Sequence, residues 1–238
     1  MEPKLKDSIA SNVTFWAYDI FGYLLPGLLI LAAAWLTNCR LRNIVTEFPN
    51  MEYLASLAVL ASVAYLTGHI VAALSSVVLE RSFLKHAIGY PSQWLLSLAD
   101  EKDYKLFKLF GHYKSAYSAE FRDHFLKLFE QTFGFKPTDS QDIFMLCWSY
   151  VSISHPNAYK RATHFLELYG FSRNVSMVFL LLCLLPFLPG WNSFFATMPW
   201  FIFCLLSGLL MFKNYTKLLR RCDDEVIRGF VVATKAKQ

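Results

Sequence analysis

The run from Tyr53 to Arg81 reads YLASLAVLASVAYLTGHIVAALSSVVLER and meets no charged residue before Glu80. A helix rises about 1.5 Å per residue, so a run of this length exceeds the ~30 Å hydrocarbon core of a bilayer. It predicts a membrane helix. Ala64, Gly68, Ala72 and Ser76 recur at every fourth position, which places four small side chains on one stripe where another helix backbone can approach closely. His69 stands beside that stripe.

The rest of the chain is consistent with this solvent. Of its 238 residues, 55% are hydrophobic and only 17% charged, too apolar a balance for a soluble domain of this length. The formal charge of +5 follows the ends of apolar runs, a pattern explained by membrane orientation, so nucleic acid is excluded as a partner. Cys39, Cys147, Cys183, Cys204 and Cys222 share no metal-type spacing and read as small apolar fillers.

Taken in order, residues 1–17 form a polar segment. A first membrane helix pair occupies 18–81: Asp19 opens the first span, which runs from Ile20 to Thr37 and should kink at Pro26 and Gly27. The polar connection 38–52 holds Arg40 and Arg42. Charge becomes frequent from 82 to 173, where four helices are expected. They are Trp94–Phe110; a helix capped by Ser118 with Phe121, Phe125, Leu128, Phe129 and Phe133 inward, ended by Gly134; Gln141–Ile153, apolar nearly all round and therefore expected at the centre; and Asn157–Tyr169, ended by Gly170. A second membrane hairpin covers 174–212, uncharged from Val175 to Phe212 and divided by Pro186, Pro189 and Gly190, with Trp191 and Trp200 suited to an interface. The tail, 213–238, has Leu218, Leu219, Cys222, Val226, Ile227 and Phe230 at helical spacing. The fold class expected is an all-α membrane protein with four transmembrane helices, two plus two. A helical cytoplasmic domain lies between the pairs and an amphipathic helix follows them.

Positive residues set the orientation. Twelve Lys and Arg fall between Arg81 and Arg173 and seven from Lys213 onward, against Arg40 and Arg42 in the first connection and none around Trp191. With Lys4 and Lys6, this places both termini and the middle domain in the cytoplasm.

An ionisable group inside a span faces a partner helix, a cavity or a proton path, which makes His69 the sharpest candidate, with Ser62, Tyr65, Thr67, Ser75 and Ser76 around it. Its duller role is structural glue. Asp19 answers the dipole of the first span or pairs with His69 or Arg81; Glu80 and Arg81 are interfacial anchors or gating charges. Lys213, Lys217, Arg220 and Arg221 read as a lipid anchor, or as a partner-docking surface. Asn157, Tyr159, Arg161, Arg173 and Asn174 form a candidate cytoplasmic recognition set for a protein or a nucleotide signal. His112, His124, His155 and His164 come with no metal-ligand spacing, and no phosphate loop or nucleophile turn is present. No cofactor and no enzyme activity is expected.

In span arrangement and size the chain resembles the four-span membrane effectors and membrane components of bacterial antiphage defence systems. The resemblance implies a homo-oligomer that sits in a bacterial inner (plasma) membrane, contacts its lipids and perturbs or permeabilises it when triggered from the cytoplasm. The alternative is a scaffold that anchors a cytoplasmic partner without conducting.

Overall fold

The computed structural model describes residues 19–37, 53–98, 115–137, 140–184, 187 and 194–235, which are almost all helical and include no strand. The first and second polar segments, 1–17 and 38–52, lie outside the described residues, as do Trp191 and the part of the expected Trp94–Phe110 helix beyond Leu98. The described helices are α1 (Leu25–Thr37), preceded by a π-helical turn Ile20–Leu24; α2 (Tyr53–Ser75), continued by a π-helical stretch Ser76–Ile88; α3 (Pro91–Leu95); α4 (Ala119–Phe133); α5 (Ser140–Ser154); α6 (Pro156–Leu182); and α7 (Phe194–Lys235). The chain divides into two compact units, Met1–Leu79 with Gly170–Phe212, and Glu80–Tyr169 with Lys213–Gln238.

Three helices among the described residues are long and apolar enough to cross a membrane: Ala55–Leu95, Pro156–Leu182 and Met198–Lys235. The expectation of four is corrected on this point. The 13 α-helical residues of α1 rise only about 20 Å, and a proline near their start interrupts the ladder, so this helix is apolar but short. α7 has 42 residues, roughly twice what ~30 Å of hydrocarbon needs. Its uncharged part, to Phe212, is the portion suited to hydrocarbon; Lys213 begins a charged part that belongs to the second unit.

In the first unit α1 packs along α2. Between α6 and α7, the Ser176 hydroxyl donates to the Gly208 carbonyl (2.8 Å) and the Trp200 indole N–H to the Leu182 carbonyl (3.2 Å). Outward lie Leu66, Ile70, Leu206, Leu209 and Leu210, all exposed and all suited to lipid.

The second unit closes around the charged end of α7. Cys222, Val226, Ile227 and Phe230 are fully buried there, meeting Phe125 and Phe129 of α4 and Ile143, Cys147 and Val151 of α5. Phe230 has Phe125, Phe129, Phe133 and Tyr150 around it at centroid distances of 5.2–6.1 Å. α5 is therefore one wall, not the centre: Ile143, Cys147 and Val151 face in at four-residue spacing, while Met145 (55%) and Ile153 (83%) are exposed. The apolar face of the amphipathic tail helix is buried in the core of this unit. α6 does not stop at Gly170; it continues to Leu182, its mid-helix glycine costing about 1 kcal/mol that the burial around it offsets.

The start and stop of α4 follow local rules. Ser118 accepts from the Phe121 N–H (3.3 Å), and Gly134 takes the left-handed conformation (φ 80°) that ends the helix. Removing this cap by Ser118→Ala is expected to cost about 1 kcal/mol. The check is thermal unfolding of the full chain in detergent; no change would show the first turn to be held by other contacts.

Candidate functional site

Two regions of the first unit hold most of the residues singled out by sequence. In one, His69 stacks on Tyr23 of the π-helical turn (centroids 4.0 Å, planes 16° apart) and meets Tyr65 edge-on at 4.5 Å. His69 and Tyr65 both lie on the exposed side of α2. Ser62 and Thr67 donate back to the carbonyls of Ala58 and Val63, both at 2.8 Å, so their hydroxyls are satisfied within the helix. Asp19 precedes the π-helical turn without capping it through its side chain.

The small-residue stripe is used inside the chain. Ala64 is fully buried, Gly68 and Ala72 are buried, and Gly27 of α1 lies against the Ala64 carbonyl and the Gly68 N–H. Gly68 in turn lies against the backbone of Tyr23. The stripe thus joins α1 to α2 and is not an open surface for a second copy. Ser76 falls where the helix widens into its π-helical stretch, and Ser75 takes the fully buried position instead.

The second region is a buried polar knot. Pro26 has no N–H, so the Gly22 carbonyl, its partner in an α-helical ladder, lacks that donor. Asn174 supplies one through Nδ2 at 2.9 Å, and Gly22 is buried with it. The Ser75 hydroxyl lies 2.6 Å from Asn174 Oδ1 and 2.9 Å from the Ala72 carbonyl, and accepts from Arg173 Nε at 3.1 Å. Asn174 and Ser75 are both fully buried. The expectation that Asn174 recognises a cytoplasmic ligand gives way to a structural tie, since its side chain is enclosed among three helices. The rest of that set disperses: Asn157 is exposed, Tyr159 packs edge-on against Trp148 at 5.1 Å, and Arg161 pairs with Glu225 at 3.0 Å. Glu80 is half-buried and Arg81 exposed.

The second unit carries a cationic cavity of about 290 Å³. Lys217, Arg220, Arg221, Asp224 and Arg228 reach it from α7, at positions i, i+3, i+4, i+7 and i+11, which fall along one helix face. The opposite wall is the stretch Ser115, Ala116 and Tyr117, pinned where the Tyr117 N–H donates to the Leu95 carbonyl at 3.0 Å. Arg228 pairs with Asp224 at 2.8 Å and lies over the Tyr117 ring, and the Tyr117 hydroxyl donates to the same carboxylate oxygen. Burial and that carboxylate push the Tyr117 phenol up, so it stays protonated, and the Asp224 hydrogen bond raises Arg228. Arg220 donates to the Ser115 carbonyl at 2.7 Å and to its hydroxyl, both neutral acceptors. Arg221 lies 6.0 Å from the Phe165 ring centroid.

Lys213 is exposed on α7 outside the cavity lining. Lys217, Arg220 and Arg221 were legible as a cluster in the sequence, whereas Arg228, Tyr117 and Ser115 were not. The helical spacing from Lys217 to Arg221 was visible; its continuation to Arg228 and the stretch that faces it were not.

Cys147 and Cys222 are buried free thiols pushed up by desolvation, which leaves them inert, and Cys183 and Cys204 are likewise buried and free. Cys39 and His112 lie outside the described residues. Among the described residues no three His, Cys, Asp or Glu side chains converge on a metal position; His155 instead accepts from the Ala158 N–H at 3.3 Å at the start of α6.

These features define an all-α protein with three helices able to cross a membrane and a second helical unit bearing a cationic cavity. No protein-family model matches the chain, and no curated protein or solved structure matches it.

Proposed function

We propose that the chain is a multi-pass protein of a bacterial inner membrane that assembles from copies and perturbs that membrane under control of its cytoplasmic unit. α2, α6 and α7 cross the bilayer, α1 inserts beside α2, and the charge-rich unit with the C-terminus faces the cytoplasm, where its Lys and Arg residues accord with positive-inside orientation. Antiphage defence, the role implied by the likeness in layout, fits this behaviour.

One observation carries the reading. His69 lies on the exposed side of a helix long and apolar enough to cross a membrane, stacked on Tyr23 but open to the surroundings, and an ionisable side chain inside a span is costly where it faces lipid. A second copy, or a hydrated path between copies, relieves that cost. The contact is not the small-residue stripe, which α1 already occupies. The competing reading, a non-conducting anchor, draws support from Ser62 and Thr67, whose hydroxyls turn back onto their own helix as lipid-facing hydroxyls do.

The test is membrane potential in a bacterial host expressing the full chain, followed with a voltage-sensitive dye, with cross-linking to count copies. Depolarisation is expected with the wild type, and His69→Ala is expected to remove it while leaving expression and folding intact. A cross-linked oligomer with unchanged potential would replace this reading with an anchor; a monomer would remove assembly as well.

A further inference from the structure

We propose that the cavity on α7 is a binding site for a small soluble anion carrying phosphate groups, with pyrophosphate as its minimal member. The inference stands apart from how the membrane helices act. Among the described residues four cations and one carboxylate line the cavity, and the carboxylate, Asp224, is already matched by Arg228. Lys217, Arg220 and Arg221 have no carboxylate partner among the described residues. Such a concentration of positive charge on one side of one helix repels itself unless an anion balances it.

The side chains are also held in place. Arg220 is fixed by two acceptors of Ser115, and Arg228 by Asp224 below the Tyr117 ring, so an arriving anion meets oriented guanidinium groups and loses little freedom in ordering them. Guanidinium forks match phosphate oxygens two at a time, and lysine adds a mobile point charge. A volume of about 290 Å³ sits at the lower end of small-molecule sites and suits a compact polyanion. Among the described lining residues only Leu95 and Ala116 are aliphatic, which favours a soluble phosphate over a ligand that must also bury an acyl chain there.

The test is calorimetric titration of the full chain in neutral detergent with pyrophosphate at low ionic strength. Saturable one-to-one binding is expected. It should fall by at least about tenfold in Arg220→Gln with Lys217→Gln, since a single charge-assisted hydrogen bond to phosphate is worth that much or more. Arg221→Gln alone is a second variant should the double one misfold, and Arg161→Gln, outside the cavity, should bind as the wild type does. Absence of binding at millimolar pyrophosphate, or equal binding by the Arg220→Gln/Lys217→Gln and Arg221→Gln variants, would overturn the site. A parallel titration of nanodiscs with and without phosphatidic acid separates the lipid source: binding there and none to pyrophosphate also overturns the proposal.

Discussion

Gly68→Ala will drive the first two helices apart. A methyl group at Gly68 would land on the Tyr23 carbonyl carbon and oxygen, and one at Gly27 on the Ala64 carbonyl, at separations no real contact allows. The colliding atoms are backbone, so no rotamer change relieves them, and the helices must move. That movement costs the packing of Ala64 and the stack of His69 on Tyr23. Overpacking of this kind costs roughly 1–3 kcal/mol, which in a chain of this size lowers Tm by about 2–12 °C. Gly68→Leu should abolish a monodisperse folded species altogether. Gly208→Ala is the control, because the nearest atoms to its added methyl are the flexible Leu180 tip at 3.2–3.3 Å and the Phe179 Cβ at 3.5 Å. Equal melting of Gly68→Ala and Gly208→Ala in detergent would refute the close approach. A functional loss in Gly68 variants therefore reports the fold of the chain and says nothing of contacts between copies.

The same helices show how far sequence carries. Small residues at every fourth position of α2 announce a close helix neighbour, but spacing does not say whether that neighbour is a second copy or the preceding segment. A missing ladder hydrogen bond at Pro26 was readable from the sequence. Its consequence, a Gly22 carbonyl in need of a donor, is met by Asn174, more than a hundred residues away, and no local rule links them. Likewise the apolar face from Leu218 to Phe230 was visible, while its covering was not, because lipid and a protein core select the same side chains. Ser118 and Gly134 were legible in full: a cap and a left-handed stop depend only on residues within one helical turn.

Asp223 provides the pH-dependent outcome. It lies on α7 in the second unit, 4% exposed, and accepts the Ser92 N–H at 2.8 Å. Ser92 is the second residue of α3, whose N–H has no acceptor within its own helix, so the carboxyl caps that helix from a distance. No ion pair reaches Asp223 among the described residues. Burial outweighs the Ser92 hydrogen bonds and pushes the carboxyl up to about 7. An unfolded Asp titrates near 3.9. Between those values the folded chain keeps a proton that the unfolded chain has released, so stability falls as pH rises from about 4 to 7 and levels off above. The full span amounts to about 4 kcal/mol at most. Asp223→Asn stays neutral, and its amide oxygen can still accept from Ser92. The variant should therefore melt about 10 °C higher than the wild type at pH 8 and nearly level with it at pH 4. The difference between the two melting curves is the readout, since the other carboxyls cancel in it. A wild type equally stable at pH 5 and 8, or an Asn variant that melts lower at pH 8, would mean that the carboxylate is charged and stabilising where it sits.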